Sequence, residues 1–356
     1  MISRKRLIGG RHDGQFVLHK HTVWIESFSE RLRVPIWGGI LAFTMAWYGL
    51  FVAALIAAES PMSGLYDLGL LSLVALMLVA LPVPVYVRRK MESLETHALS
   101  MVENPKAAGD KIRLLSSLKP VLILAVGISS IFVLPYFLVP ELELVASSVV
   151  VLVIGLTLLL LPYLLVVWVF TTALWTLGYS LLGVYRIGKL PMILRPFTLD
   201  RTLGLKPFAS TCLHLTAVYY LLLLPLLISD LILLNVDPLP QTFVLIRDMG
   251  LVLLGLLLFL LPLSSLHEKL VRTKREKLSW INNRYSRIVH RIESDGDRPL
   301  DIGLQGELLG IDKIQRDIQT IRSWPFDMSS LTKLVTILLS LTAILLSRII
   351  ATILSI

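Results

Sequence analysis

The stretch LVLLGLLLFLLPLSSLHEKLVRTKREKLSW, residues 251–280, changes its preferred solvent partway along. Leu251 to Leu266 carries no charge, and with the apolar residues before it makes a block matching the roughly 20 helical residues that cross a bilayer. From Glu268 onward, Lys269, Arg272, Lys274, Arg275 and Lys277 follow in quick succession. A soluble amphipathic helix interleaves apolar and charged residues around its axis. Here the two kinds are segregated along the chain instead, so the first half favours lipid and the second half water.

The rest of the chain has the same character. It is 55% hydrophobic and only 17% charged, with a mean hydropathy of +0.75. Polar residues 1–34 precede the first apolar block, an arrangement unlike a cleavable secretory signal. Cys212 is the single cysteine, which excludes an intrachain disulfide and thiolate metal frameworks.

Apolar blocks of spanning length fall at 35–58, 68–87, 120–139, 144–168, 207–234, 242–266 and 328–350. Segments 1–34, 88–119, 186–206 and 267–327 hold all of the 34 Lys and Arg except Arg247, Lys333 and Arg348. The three short loops on the other side carry Glu59, Asp67, Glu141, Glu143 and Asp237. The excess of basic residues on one side predicts a cytoplasmic N-terminus and an external C-terminus, with the plasma membrane as the expected location. That asymmetry accounts for the pI near 9.6 without a nucleic-acid partner. The block 144–185 is twice the length a span needs. A single span continuing as an amphipathic cytoplasmic helix, with Trp168, Trp175 and Tyr179 at the interface, keeps the basic segment 186–206 inside.

The expected fold is therefore all-α and integral to the membrane, with seven transmembrane helices as three helical hairpins plus a final span. Prolines punctuate the pattern. Pro82, Pro162 and Pro262 fall near the cytoplasmic ends of returning helices, while Pro35, Pro120 and Pro207, 85 and 87 residues apart, open outgoing ones. Such spacing fits either a true duplication or three hairpins obeying the same membrane rules.

Four regions follow. Residues 1–34 form a cytoplasmic segment, in which Val17, Leu18, His21, Trp24, Ile25, Phe28 and Leu32 make one face of an interfacial amphipathic helix. Residues 35–266 form a six-span membrane domain with cytoplasmic loops 88–119 and 186–206, the former expected to fold as a small helical hairpin turning at 104–110. Residues 267–327 form an antiparallel helical hairpin of coiled-coil type, with Leu304, Leu308, Ile311, Ile314, Ile318 and Ile321 recurring at helical spacing and a turn at 294–299. Residues 328–356 contain the seventh span.

Four ionisable residues fall near the external boundary: Asp230 in the fifth span, Arg247 and Asp248 in the sixth, and Arg348 in the seventh. Two acids and two bases predict pairing. Arg247 and Asp248 are neighbours, set about 100° apart around a helix, so each is expected to seek a partner on another span. Arg348 with Asp248 and Arg247 with Asp230 is the favoured arrangement, and a structural staple the favoured role over an ion entrance.

Thr332, Thr336, Ser340 and Ser347 form a small, polar stripe on the seventh span, suited to close helix packing or to lining a pore. The basic run Lys269, Arg272, Lys274, Arg275 and Lys277 is expected to contact anionic lipid headgroups. His214, alone among intramembrane histidines, reads as a residue bonded to a neighbouring hydroxyl or carbonyl. Catalytic motifs and metal-ligand spacings are absent from the sequence, so no enzyme activity, cofactor or metal is expected.

Three functions stay open at this level, a polytopic membrane enzyme ranking behind two others. One is an oligomeric, channel-type permeation protein gated through its cytoplasmic helices. The alternative is a non-conducting scaffold or sensor presenting those helices to a cytoplasmic protein partner. The absence of charge deep in the membrane argues against an ion-coupled transporter.

Overall fold

The computed structural model describes residues 24–57, 68–102, 123–124, 126–128, 149–197, 200–232, 241–294, 302–325 and 328–354. These residues are nearly all helical. Among them are α1 (Trp24–Leu32), α2 (Ile36–Ala57), α3 (Leu68–Ala80), α4 (Val83–Leu99), α5 (Val149–Gly188), α6 (Lys206–Ile232), α7 (Gln241–Ser294), α8 (Ile302–Gln319) and α9 (Met328–Leu354). Among the described residues there is no strand, only an isolated antiparallel bridge between Val102 and Met192.

Five helical stretches are long and apolar enough to cross a membrane: Ile36–Ala53, Leu71–Ala98, Leu161–Gly188, Lys206–Leu231 and Thr242–Glu293. A shorter apolar stretch, Val335–Ile350, lies in α9. The expected third span at 120–139 falls outside the described residues, apart from 123–124 and 126–128, which are helical. So do Val17, Leu18 and His21, the acidic loop residues, and the expected turns at 104–110 and 295–299.

Prolines near the expected ends of apolar blocks do not interrupt the helices that run through them. Pro162, Pro225 and Pro262 all lie inside continuous helices. A proline removes one N–H, and a neighbouring helix can hold the chain straight across that gap. At the Pro162 turn Trp47 of α2 ties the two helices together, its Nε1 donating to the Pro162 carbonyl at 2.9 Å. Around Pro82 the backbone stays in the right-handed helical region, so α4 follows α3 after only a short interruption.

The block 144–185 also departs from expectation. The span does continue as helix, and α5 is one helix of 40 residues, about 60 Å long, but its continuation is not an interfacial, amphipathic one. Its later part is central: Val166, Phe170, Ala173, Leu177, Leu181, Val184 and Ile187 are all buried. No charge occurs between Glu143 and Arg186, so nothing obliges this half to leave the apolar bundle. Tyr179, expected at an interface, is 9% exposed.

α6 sits against α3, α7 and α9, with Phe208, Leu215, Tyr219, Leu222 and Leu223 buried. Its approach to α7 depends on Gly255. A Cβ there would stand 2.4 Å from Tyr219 Cε1 and 2.8 Å from Tyr220 Cε1. Tyr219 uses this closeness to donate to the Leu251 carbonyl at 2.7 Å, and Tyr220 reaches the Val252 carbonyl at 3.3 Å.

α1 folds back onto α2 rather than standing alone. Trp24 and Phe28 meet Phe43 edge to face, at 5.0 and 5.8 Å between ring centroids. The reversal is a Schellman turn: Val34 N–H donates to Ser29 and Arg33 N–H to Glu30. It places Arg33 at φ 55, a left-handed conformation usually given to glycine.

α7 carries the chain out of the apolar bundle without a break and is 54 residues long, about 81 Å. α8 packs against its polar half in antiparallel sense. Ile281 and Ile288 of α7 and Ile311 and Ile318 of α8 are buried in the seam, with Ile321 just beyond the end of α8. Arg284 pairs with Glu307, while Lys274 bonds the carbonyls of Gln319 and Ile321, so one number falls as the other rises.

Candidate functional site

At the end of the bundle away from α8, the four ionisable residues of α6, α7 and α9 converge. Asp230 lies about 36 Å along α6 from Lys206, and Arg348 about 30 Å along α9 from Met328, at 1.5 Å per residue. Arg247 and Asp248 lie near the start of α7, which runs back toward the polar end. Asp248 is the hub. Its Oδ2 accepts from Arg348 Nη1 at 2.8 Å, and its Oδ1 accepts from Arg247 Nε and Nη2 at 3.2 and 3.1 Å. Arg247 Nη2 also reaches Asp230 Oδ2.

The contact between Arg247 and Asp248 corrects the sequence reading, which kept these neighbours apart. An angle of about 100° separates their Cβ directions, but the long guanidinium arm bends back and spans it. One turn of helix thus holds a three-way junction. Ser72 of α3 donates to Ser229 of α6 at 2.8 Å, adding a hydroxyl tie beside Asp230. Taking charges out of water is costly, and the multiple hydrogen bonds on Asp248 offset that cost.

Arg348 fixes which way α9 faces. Arg348, Leu341 and Leu345 are buried, and Ile337, Leu338 and Ile344 are partly so. The stripe of Thr332, Thr336, Ser340 and Ser347 is exposed along the flank of this buried face, next to exposed Leu339 and Leu346. Thr336, Ser340 and Ser347 donate to the carbonyls of Thr332, Thr336 and Ala343, at 2.9, 2.9 and 3.1 Å. The stripe is therefore open along this face of α9, and the hydroxyls of Thr336, Ser340 and Ser347 are satisfied one turn back along the same helix.

At the polar end the basic run divides. Lys269 Nζ bonds the Leu190 carbonyl beyond α5. Lys274 Nζ bonds the carbonyls of Gln319 and Ile321, at 2.8 and 3.0 Å, closing the C-terminal end of α8. Lys277 Nζ lies 4.6 Å from the centre of the Phe197 ring. These three lysines serve contacts within the chain, leaving Arg272 and Arg275 exposed, with Arg272 paired to Glu276 at 2.9 Å.

A loop that sequence reasoning passed over completes this end. Asp200 accepts from Thr202 N–H at 2.8 Å, from the Thr202 hydroxyl at 2.8 Å and from Gly204 N–H at 2.9 Å. Burial pushes its pKa up, but these bonds and the charge of Arg195 outweigh burial and hold the carboxyl below its ordinary range. Gly204 has φ +89, and its carbonyl accepts from His97 Nε2 at 3.0 Å. The Asp200–Thr202–Gly204 spacing is a turn signal that would have marked the loop. His214, meanwhile, is exposed and bonds the Ser210 carbonyl within α6.

Among the described residues, no three His, Cys, Asp or Glu side chains converge as metal ligands do. Comparison with protein-family models, with curated proteins and with solved structures finds no match to this chain.

Proposed function

We propose that the chain is a polytopic membrane protein of seven spans that assembles with further copies of itself to form a channel-type pathway. The observation that carries this reading is the division of α9. One side is held by the Arg348–Asp248 pair at 2.8 Å, and the flank beside it presents exposed Thr332, Thr336, Ser340 and Ser347. Small hydroxylated residues allow membrane helices to approach closely, and a wetted stripe offers water or ions polar contacts.

In this reading the N-terminus is cytoplasmic, the C-terminus external, and the charge network is a staple near the external boundary. α7 and the segment leading into α9 both emerge from the α7–α8 pair, which would make that pair the gate. Ion flux from liposomes tests the proposal. Flux from the wild type, reduced when Thr336 and Ser340 are both replaced by Leu, supports it. Absence of flux across several ions and potentials favours the non-conducting scaffold, a reading supported by Trp280 and Leu309, exposed on the α7–α8 pair at 53% and 72%.

A further inference from the structure

Two stripes of matching spacing lie on one flank of the α7–α8 pair. On α7, Trp280, Arg284, Arg287 and Arg291 recur at intervals of four, three and four residues, which sets them on one helix face. On α8, Gly303, Glu307, Gly310 and Ile314 recur at the same intervals. The ion pair between Arg284 and Glu307, at 2.8 Å, puts both stripes on the same flank. The Arg284 guanidinium also lies 5.8 Å from the centre of the Trp280 ring.

This flank is open. Trp280 is 53% exposed and Ile314 37%, and Arg287, Arg291, Gly303 and Gly310 are exposed with them. A Cβ on Gly310 would meet nothing within 4 Å. Glycine inside a helix is unfavourable, but it lets another surface come close to the backbone.

The stripes also differ in charge. The α7 stripe is basic, whereas the α8 stripe carries Glu307 and no base. Because the two helices are antiparallel, a second copy turned by 180° about an axis along them sets its α8 against α7 of the first, at the same level. Counting in opposite directions from the Arg284–Glu307 pair puts Trp280 one residue from the level of Gly310. The same count puts Arg287 between the levels of Gly303 and Glu307. A broad indole thus meets a bare stretch of backbone, and a guanidinium meets a carboxylate. Tryptophan and arginine are the residues that most often anchor protein contacts.

We infer that this flank is a contact between two copies of the chain, with Trp280 of each seated on Gly310 of the other. The inference rests on the proposed membrane-embedded, self-assembling chain, since a shared bilayer holds both copies upright in the same sense. It gives that assembly a joint outside the apolar bundle.

Disulfide trapping in native membranes tests the contact, with Cys212→Ser as background. Two differently tagged full-length chains are co-expressed, one bearing Trp280→Cys and the other Gly310→Cys, so that the reciprocal Trp280–Gly310 contact stays intact. Mild oxidation is expected to give a covalent dimer bearing both tags. Asn282→Cys with Asp312→Cys, on the opposite flank, should give none. In the otherwise unaltered protein, Gly310→Leu should weaken dimerisation in detergent by about fivefold or more, the cost of overpacking a contact. Its thermal stability should not fall, because a side chain there meets nothing in its own chain.

Equal dimer from both cysteine pairs would mark random collision and overturn the contact, as would none from either. An adduct of Trp280→Cys with a different protein, in place of the two-tag dimer, would overturn the self-contact and give the flank to a heterologous partner. Ion flux without trapping at 280 and 310 overturns this contact alone, and trapping without flux supports the contact while the channel reading fails. Release of the chain from membranes by alkaline extraction would defeat the membrane reading on which both rest.

Discussion

Arg348 Nη1 lies 2.8 Å from Asp248 Oδ2, across 100 residues of sequence, with side chains only 3% and 1% exposed. A pair this enclosed leaves a stranded charge if either partner is lost. Removing one member of a buried pair costs about 3–5 kcal/mol, whereas replacing both with apolar residues costs far less. Arg348→Leu is therefore expected to lower the thermal unfolding temperature in detergent sharply. Adding Asp248→Leu should recover much of the loss, because Arg247 keeps Asp230. A double variant as weak as the sum of the singles would contradict the pairing.

Gly255 offers a steric test of the α6–α7 contact. With Tyr219 Cε1 2.4 Å from the site of an added Cβ, Gly255→Ala should destabilise by about 1–3 kcal/mol, the usual cost of overpacking. Tyr219→Phe removes the bond to the Leu251 carbonyl and should cost about 1 kcal/mol. In the Gly255→Ala, Tyr219→Ala double variant, the alanine at 255 should cost much less than it does alone. Tryptophan fluorescence during chemical unfolding measures all three.

The divided roles of the basic run predict unequal substitutions. Lys274→Met removes a charged donor from two carbonyls at the end of α8 and should cost about 1.5–3 kcal/mol. Arg272, 80% exposed in its pair with Glu276, should tolerate replacement by Met within about 1 kcal/mol. Limited proteolysis near residue 320 is the direct readout, with faster cleavage expected only for Lys274→Met.

Asp200 gives the expected pH dependence. Its carboxyl titrates below the ordinary carboxylate range when folded, so the unfolded chain binds the proton more readily. The stabilisation is fully present above the unfolded-state value near 4 and is lost as pH falls through the folded one. Asp200→Asn should flatten this part of the stability profile in acid while leaving the profile above about pH 6 parallel to wild type.

The apolar helices were legible because apolar sequence is segregated along the chain rather than around the helix axis. The block 35–58 and helix Ile36–Ala57 nearly coincide, and so do 207–234 and Lys206–Ile232. Depth counting placed Asp230, Arg247, Asp248 and Arg348 at one level. What sequence could not supply was the reach of long side chains and the effect of tertiary support. Arg247 bends to its own neighbour Asp248, and three lysines that read as a lipid-facing patch turn back onto carbonyls or a ring. Pro162 and Pro262, read as lying near the ends of spans, sit inside helices that continue well beyond them. The bond from Arg322 N–H to the Arg201 carbonyl joins backbones 121 positions apart, and no local pattern encodes it.

The measurement that most directly tests the proposed pathway is the reaction of single cysteines along α9 with a charged, membrane-impermeant thiol reagent, in liposomes and with Cys212→Ser as background. Ser340→Cys and Thr336→Cys should react, whereas Leu339→Cys and Leu346→Cys, on the neighbouring lipid-facing surface at 63% and 56% exposure, should not. Silence at all four positions, or equal reaction at all four, would contradict a water-lined hydroxyl stripe.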